Sequence, residues 1–291
     1  MKSIEFDKMQ GLGNDYVYLI RMEGIEEDLP RLARDISDRH FGVGGDGLIV
    51  ITRSNEADFR MIMFNADGSE AQMCGNASRC IARLVYEKGL TRKTEITLET
   101  KAGIKLLKLN FEEGEEREGE TSLKIKDVSV NMGKPILDEE SIPVIKSDYV
   151  RPMPKHRIYA GKELVDVHCI GMGNPHGVIF KDVDEEFFQE FGPQFENHLI
   201  WPEKANIEFV NVLDAGNIEM RVWERGTGET LACGTGACAS AVACILTGKT
   251  GNEVNVKMKG GTLKIRLDKN GDVIMTGDAQ HVAHGTYFWD V

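Results

Sequence analysis

The feature that most constrains this chain is an internal repeat. The stretch GLGNDYV at Gly11–Val17 matches GMGNPHGV at Gly171–Val178, and FNADGSEAQMCGN at Phe64–Asn76 matches WERGTGETLACGT at Trp223–Thr235. Two apolar runs, GLIVI and IEFVNV, and two segment ends, DVSVNMG and DVIMTG, repeat in the same order. A repeat this long indicates two copies of a domain rather than a solenoid of short units.

The chain of 291 residues has the length expected for two domains. We place the first domain at 1–133 and the second at 134–277, with the tail 278–291 returning to the first. Runs such as LIVIT, EITLET and EVNVKM are bounded by turn residues and predict short strands.

Each half also carries one main predicted helix, at about 76–88 and 236–246, and the second of these contains no charged residue. A helix that is apolar on all sides is usually buried. The sequence therefore predicts an α+β fold of two pseudo-symmetric domains, each a mixed sheet curved around a central helix.

Composition excludes several classes of function. The formal net charge is −12 and no Lys/Arg-rich block exists, which argues against nucleic-acid binding. There is neither a secretory leader pattern nor an apolar run of about 18 residues, so we expect a cytoplasmic protein without membrane contact. The six cysteines include no Cys-x-x-Cys pair, and His281 and His284 lack a nearby acidic or Cys partner in the sequence, so no metal site is predicted.

The two repeated cysteines, Cys74 and Cys233, each stand directly before a predicted helix. The first turn of a helix has unpaired N–H groups and a partial positive charge, which lower the pKa of a thiol and can hold a carboxylate. Two such thiols facing one carbon could invert it, one removing a proton while the other delivers one. Cysteine is otherwise often a small buried hydrophobe, and we assign the other four cysteines that role.

The chain resembles the diaminopimelate epimerase family. The motifs that carry the resemblance are GNDYV, FNADGSEAQMCGNASRC, GNPHGV and WERGTGETLACGTGACAS, and the resemblance covers nearly the whole chain. The resemblance implies epimerisation of LL- to meso-diaminopimelate without pyridoxal phosphate, in lysine and peptidoglycan biosynthesis. It also implies two similar domains, each a barrel-like sheet around a central helix, an active site in the cleft between them, no cofactor and a homodimer.

The resemblance assigns site residues by matching position. Cys74 and Cys233 match the catalytic cysteines, and His176 and Glu224 match residues that tune the protonation of the thiols. The substrate, a small amino acid with two carboxylates, is expected to be bound by a larger set: Asn14, Asn65, Gly75, Asn76, Asn174, Asn206, Glu224, Arg225, Gly234 and Thr235. Physically, the guanidinium of Arg225 offers a fixed fork to the distal carboxylate.

Two positions depart from the family pattern. Gly47 stands where the family often has Gln, so one side-chain contact to the substrate is expected to be missing, or made by backbone or water. Ala77 stands where the family commonly has Gly, and we expect little effect.

Three other interpretations remain open from the sequence. GVGGDG at Gly42–Gly47 fits the dinucleotide fingerprint, but the strand before it and the helix after it are missing. A racemase of the same fold could act on another amino acid, such as histidine or proline, although a monocarboxylate would not need Arg225. A redox sensor could join Cys74 and Cys233 in a reversible disulfide.

Overall fold

The computed structural model describes residues 1–117, 120–147, 149 and 151–290, and side chains throughout these ranges except at 114–117 and 120–122. The chain separates into two compact units. The first unit comprises Met1–Asn131 and Thr276–Val291, and the second comprises Met132–Met275.

Strands and helices follow the same order in both units, apart from one additional strand that comes first in the second unit and last in the first. In chain order, the elements up to residue 133 are β1 Lys2–Gly11, β2 Asn14–Arg21, α1 Leu29–Ser37, β3 Gly47–Thr52, β4 Phe59–Asn65, β5 Glu70–Ala71, α2 Gly75–Glu87, β6 Glu95–Thr100, β7 Gly103–Arg117 and β8 Glu120–Gly133. The remaining elements are β9 Lys155–Ala160, β10 Glu163–Gly171, β11 Pro175–Ile179, α3 Glu185–Glu196, β12 Asn206–Asp214, β13 Asn217–Glu224, β14 Gly228–Glu229, α4 Gly234–Leu246, β15 Glu253–Met258, β16 Gly261–Leu267, β17 Val273–Gly277 and β18 Gln280–Trp289.

Strand pairing repeats between the units, residue for residue. In the first unit β2 and β3 are parallel with Tyr16 opposite Gly47, and in the second β11 and β12 are parallel with His176 opposite Asn206. The next strand is antiparallel in both, and the strand after the cysteine helix then pairs in parallel with it. The predicted mixed α+β fold with an internal duplication is confirmed.

The register also defines which residues correspond. Leu48 lies opposite Phe64 on β4, and Ile207 lies opposite Trp223 on β13, so Ile207 takes the place of Leu48. The residue before each of these is Gly47 in the first unit and Asn206 in the second, so Asn206 takes the place of Gly47. Two residues further along each strand, Glu208 takes the place of Ile49. These correspondences identify where the two copies have diverged.

Sequence patterns account for the main elements. Strands β6 and β15 alternate buried and exposed residues, as expected where one face meets the core. Strand β3 is buried along nearly its whole length and reads as a continuous apolar run. Helices α2 and α4 end before Gly89 and Gly248, whose φ angles of 70° and 71° suit glycine.

The helix predictions need two corrections. Helix α4 begins two residues earlier than expected, at Gly234, because Cys233 itself is the N-cap residue. A second helix in each unit, α1 and α3, was not predicted. Helix α1 is only nine residues long, and α3 contains Gly192 and Pro193, which argue against helix in a sequence reading.

Both additional helices begin at an aspartate cap. Asp28 accepts a hydrogen bond from Arg31 N at 3.3 Å, and Asp184 accepts one from Phe187 N at 2.8 Å. Side chains of α1 and α3 then enter the core of their own unit, through residues such as Leu32 and Phe188. Within the described ranges, no helix is both long enough and apolar enough to cross a bilayer.

Candidate active site

In the first unit, Cys74 is the N-cap residue of α2. Its backbone is extended, with φ −134° and ψ 122°, and its side chain is partly exposed. The thiol donates to Asn14 Oδ1 at 3.3 Å, and Asn14 Nδ2 donates to Asp46 Oδ2 at 2.8 Å. The structure therefore brings the predicted catalytic cysteine together with one of the predicted substrate-binding asparagines.

An ion-pair network supports that asparagine from outside. Arg39 donates to Asp15 at 2.8 Å and to Asp46 at 3.0 Å, and Lys8 pairs with Asp15 at 2.9 Å. Partial burial acts to raise the pKa of Asp15, but hydrogen bonds from Arg39 and Lys8 outweigh it and lower that pKa. Asp46 is thus held in one orientation, which in turn fixes the amide of Asn14.

Arg79, on the second turn of α2, is a functional candidate that sequence reasoning missed. Its side chain is fully buried, and its Nε donates to Asp278 O at 3.0 Å. Burial lowers the pKa of Arg79, and the Cys74 and Cys80 thiols are close enough to oppose that effect. A guanidinium so rarely loses its proton that it supplies a positive charge near Cys74. An arginine inside an otherwise apolar helix stripe was the available signal.

The remaining first-unit residues lie around the start of α2 and the end of β4. Gly75 and Asn76 form the first turn of the helix and are both buried. Asn65 is exposed at the end of β4, where its Nδ2 donates to Ser69 Oγ at 3.0 Å. No direct hydrogen bond between Asn65 and the Cys74 thiol is found among the described residues.

In the second unit, Cys233 occupies the corresponding N-cap position of α4. Its Sγ accepts from Gly236 N at 3.4 Å and lies 3.5 Å from Thr235 Oγ1. Burial raises the pKa of the Cys233 thiol well above its ordinary value, and the carboxyl groups of Glu224 and Glu208 raise it further. The two cysteines therefore share a backbone position but not an electrostatic setting.

Glu224 reaches Cys233 from the end of β13. Burial raises the pKa of Glu224, while the hydrogen bond from the Thr230 hydroxyl and the nearby Cys233 thiol act in the opposite direction. A carboxyl with a raised pKa next to a thiol can exchange a proton with it. The residue predicted to tune the thiol therefore lies close enough to raise the pKa of that thiol.

His176, the other predicted tuning residue, is fully buried on β11. Its Nδ1 hydrogen-bonds Glu208 Oε1 at 2.7 Å, and its Nε2 hydrogen-bonds Asn174 Oδ1 at 2.9 Å. Sequence reasoning missed Glu208, although a glutamate in the apolar run IEFVNV was a visible signal. Two predicted residues, His176 and Asn174, are thus joined to one that was not predicted.

Asn206 and Arg225 form a second contact pair in this unit. Arg225 N donates to Asn206 Oδ1 at 3.0 Å, and Asn206 Nδ2 donates to Pro175 O at 3.2 Å. The Arg225 guanidinium is exposed, and its Nη1 donates to Glu203 O at 3.2 Å. A cation held at its backbone and largely open at its side chain is suited to a carboxylate ligand.

Comparison with known proteins agrees with this arrangement. The profile of the family described as diaminopimelate epimerase matches residues 6–137 and 168–282. The diaminopimelate epimerase of Desulfovibrio desulfuricans is 46% identical over 98% of this chain and 99% of its own. That of Agathobacter rectalis is 47% identical over 97% of this chain and 98% of its own.

The chain belongs to the diaminopimelate epimerase family. More distant solved structures share the fold of this member. A phenazine biosynthesis protein of the PhzF family from Bacillus anthracis superposes with a TM-score of 0.66 at 19% identity, covering 98% of this chain and 99% of the other. A hydroxyproline epimerase from Agrobacterium vitis superposes with a TM-score of 0.62 at 13% identity, covering 98% and 91%.

The departure at Gly47 has a steric explanation in this member of the epimerase family. A Cβ built on Gly47 would lie 2.1 Å from Phe64 O and 2.9 Å from the Tyr16 ring. Strand β4 therefore approaches β3 too closely for any side chain at this position. As predicted, no strand directly precedes the GVGGDG segment at Gly42–Gly47; helix α1 precedes it.

The departure at Ala77 is also local. Ala77 is buried in the first unit, and its counterpart in the second unit is Gly236. A Cβ on Gly236 would lie 2.6 Å from Glu208 Oε1, whereas the counterpart of Glu208 in the first unit is the apolar Ile49. Alanine is accommodated in the first unit, where the apolar Ile49 takes the place of Glu208.

Proposed function

We propose that this chain epimerises LL-diaminopimelate to meso-diaminopimelate by a two-base reaction of Cys74 and Cys233. The observation that carries the proposal is that each unit places a cysteine at the N-cap of its central helix. Family membership supports the substrate, since the related proteins are named diaminopimelate epimerases. Lysine and peptidoglycan biosynthesis would consume the product.

The reaction needs two proton transfers at one carbon. One cysteine, as thiolate, takes the α-proton, so that a C–H bond breaks and an S–H bond forms. The other cysteine, as thiol, delivers its proton to the opposite face and becomes a thiolate. The helix N-termini at Gly75–Asn76 and Gly234–Thr235 would stabilise the negative charge that develops on the reacting carboxylate. No electron leaves the substrate, so the step balances without a cofactor.

The distal end of the substrate would be recognised by charge and by amides. Arg225 would bind the second carboxylate, and Asn65 and Asn206 would contribute donors and acceptors near it. Asn14 and Asn174 would complete the set from their positions beside Cys74 and His176. We also propose a cytoplasmic homodimer, which sedimentation of the purified protein and cell fractionation would test.

Exchange of the α-proton with solvent tests the chemistry directly. In D2O, LL-diaminopimelate should give meso product with deuterium at one α-carbon. Cys74→Ala and Cys233→Ala should each reduce turnover by about a thousandfold or more, as expected for loss of an essential acid or base. Normal epimerisation by either variant would contradict the two-base reaction.

Each helix supplies its own control cysteine. Cys80 on α2 and Cys238 on α4 are fully buried, and burial raises the pKa of the Cys80 thiol to about 11. The rate of substrate α-proton exchange by Cys80→Ala and Cys238→Ala should therefore stay within about threefold of that of the unsubstituted protein, because each change removes a buried sulfur and leaves both N-cap residues in place.

A racemase of another amino acid is the second candidate, because solved structures of the same fold include a hydroxyproline epimerase and a probable proline racemase. The same assay with histidine, lysine, glutamate and proline separates the candidates. Exchange limited to diaminopimelate supports the proposal, and faster exchange with a monocarboxylate would replace it.

A further inference from the structure

Glu208 is a carboxyl in the middle of the apolar strand β12. Its side chain has zero relative exposure, and its neighbours Ile207 and Phe209 are core residues. Burial of a carboxyl is strongly unfavourable unless another group pairs with it. The first unit avoids this cost, because the corresponding residue is Ile49.

The group that pairs with Glu208 is His176. The ring lies between two oxygen acceptors, Glu208 Oε1 at 2.7 Å and Asn174 Oδ1 at 2.9 Å. Both partners present an oxygen to the ring, and an oxygen acceptor at each ring nitrogen favours a proton on both. A carboxylate at Glu208 would stabilise such a charged ring, and both side chains are completely buried.

A second carboxyl lies near the same ring. Glu224 lies close enough to His176, Glu208 and Cys233 for each of them to shift its pKa. Burial is the main cause of the raised pKa of Glu224; Glu208 raises that pKa further, and His176 lowers it. Glu224 on β13 therefore lies near the imidazole of His176 on β11 and the carboxyl of Glu208 on β12, and both carboxyls act on the Cys233 thiol.

The first turn of α4 is shaped around Glu208. A Cβ on Gly236 would lie only 2.6 Å from Glu208 Oε1, so glycine is what allows the carboxyl to approach this turn. Gly236 N is also the donor to Cys233 Sγ. The first unit has Ala77 and Ile49 at the two corresponding positions, so glycine and glutamate occur together where alanine and isoleucine occur together in the other copy.

We propose that Glu208 is a positioning residue that holds the His176 ring with a proton on both nitrogens, so that a positive charge faces Glu224 and Cys233. The proposal rests on the function proposed above. When Cys233 gives its proton to the substrate α-carbon it becomes a thiolate in a buried site that already contains two carboxyls. The His176 charge would offset the negative charge of that thiolate.

Nitrogen NMR of the histidine ring tests the protonation without substrate. In the unsubstituted protein at pH 7, both ring nitrogens of His176 should give the signals of protonated nitrogen. In Glu208→Gln, one of the two should become unprotonated, because the amide can donate to Nδ1 and no charge remains to balance the ring. An unprotonated nitrogen in the unsubstituted protein would overturn the proposal.

Kinetics with LL-diaminopimelate test the consequence. Glu208→Gln should lower kcat about tenfold, equivalent to one unit in the pKa of a reacting group. KM should stay within about threefold, because Nε2 keeps its proton and still holds Asn174. Glu208→Asp keeps a carboxylate and should recover most of kcat. Equal kcat for Glu208→Gln and the unsubstituted protein would contradict a positioning role.

Glu196→Gln is the matched control. Glu196 is also a buried carboxyl of the second unit, but it accepts from Trp223 Nε1 at 2.9 Å and Gly226 N at 2.8 Å rather than from His176. This variant should leave the His176 signals and kcat unchanged. If Glu196→Gln changes both as much as Glu208→Gln does, the effect is general loss of a buried carboxyl, and the proposal is wrong.

Failure of the proposed function would look different. In that case no protein, including the unsubstituted one, would turn over diaminopimelate, while the NMR measurement would still decide the role of Glu208. If Glu208→Gln does not fold, the ring signals of the unsubstituted protein and of Glu208→Asp decide it in the same way.

Discussion

The two copies of the fold place a cysteine at the same backbone position and surround it with opposite charges. Around Cys74 in the first unit lies the buried guanidinium of Arg79, whereas Cys238, an uncharged residue, occupies the matching position in α4. Around Cys233 in the second unit lie the carboxyls of Glu208 and Glu224. The duplication preserved the geometry of the helix start, and substitutions beneath it changed the thiol environment.

The difference suits a pair of groups with opposite starting roles. A cation near a thiol favours the thiolate, and anions favour the thiol. For the proposed two-base reaction, we therefore expect Cys74 to act first as the base and Cys233 as the acid. In the proposed reaction each cysteine ends in the protonation state in which the other began. The asymmetry would therefore set the protonation states of the two thiols before substrate binds, rather than the direction of turnover.

The largest expected effect comes from breaking the buried pair that only the second unit contains. His176→Phe leaves the Glu208 carboxylate buried and unpaired, which should cost about 3–5 kcal/mol of unfolding free energy. Urea unfolding followed by tryptophan fluorescence measures it, and Trp201 and Trp223 report on this unit.

The matched variant in the first unit is Tyr16→Phe, which removes one hydroxyl at the corresponding position and should cost about 1 kcal/mol. Combining His176→Phe with Glu208→Leu should recover part of the loss, since no charge is then left buried. Equal losses for His176→Phe and Tyr16→Phe would mean that the two positions are energetically alike.

Gly47→Gln, which introduces the residue common in the family, should destabilise the first unit by about 1–3 kcal/mol because a Cβ there meets Phe64 O. Thermal or urea unfolding checks the sign. An unchanged or higher stability, with a lower KM for diaminopimelate, would show instead that β4 can move to admit the side chain.

The thiols should differ in reactivity by about tenfold, which corresponds to one pKa unit. At pH 8 iodoacetamide should modify Cys74 first, because Cys74 is partly exposed while burial and two carboxyls raise the pKa of Cys233. Cys80, with a pKa raised by burial to about 11, serves as the unreactive internal control. Peptide mass spectrometry gives the order, and faster modification of Cys233 would contradict the electrostatic difference.

The smallest effect concerns the first helical turn. Ala77→Gly should cost about 1 kcal/mol through helix propensity. Gly236→Ala should also destabilise by about that amount, although propensity alone favours alanine, because its Cβ would lie 2.6 Å from Glu208 Oε1. A stabilising Gly236→Ala would show that Glu208 can withdraw without cost.

Much of the site followed from local pattern. The cysteine N-caps, the glycines that end α2 and α4, and the strands of alternating burial are all consequences of neighbouring residues. Helix α3 did not follow, since Gly192 and Pro193 disfavour a helix locally and the buried Phe188 and Phe195 stabilise it only through tertiary packing. Arg79 and Glu208 were also missed, because a single charge in an apolar run has no local explanation.

The sequence by itself determined that the fold is duplicated, that each copy presents a cysteine at a helix start, and which family pattern the chain follows. These properties depend on the order and spacing of residues, which a repeat makes visible. Only the tertiary structure decided that His176 pairs with Glu208, that Asn14 holds Cys74, and that Gly47 has no room for a side chain. The first two contacts join residues 32 and 60 positions apart, and the third depends on how closely β4 approaches β3. Their energies depend on burial, which sequence order does not specify.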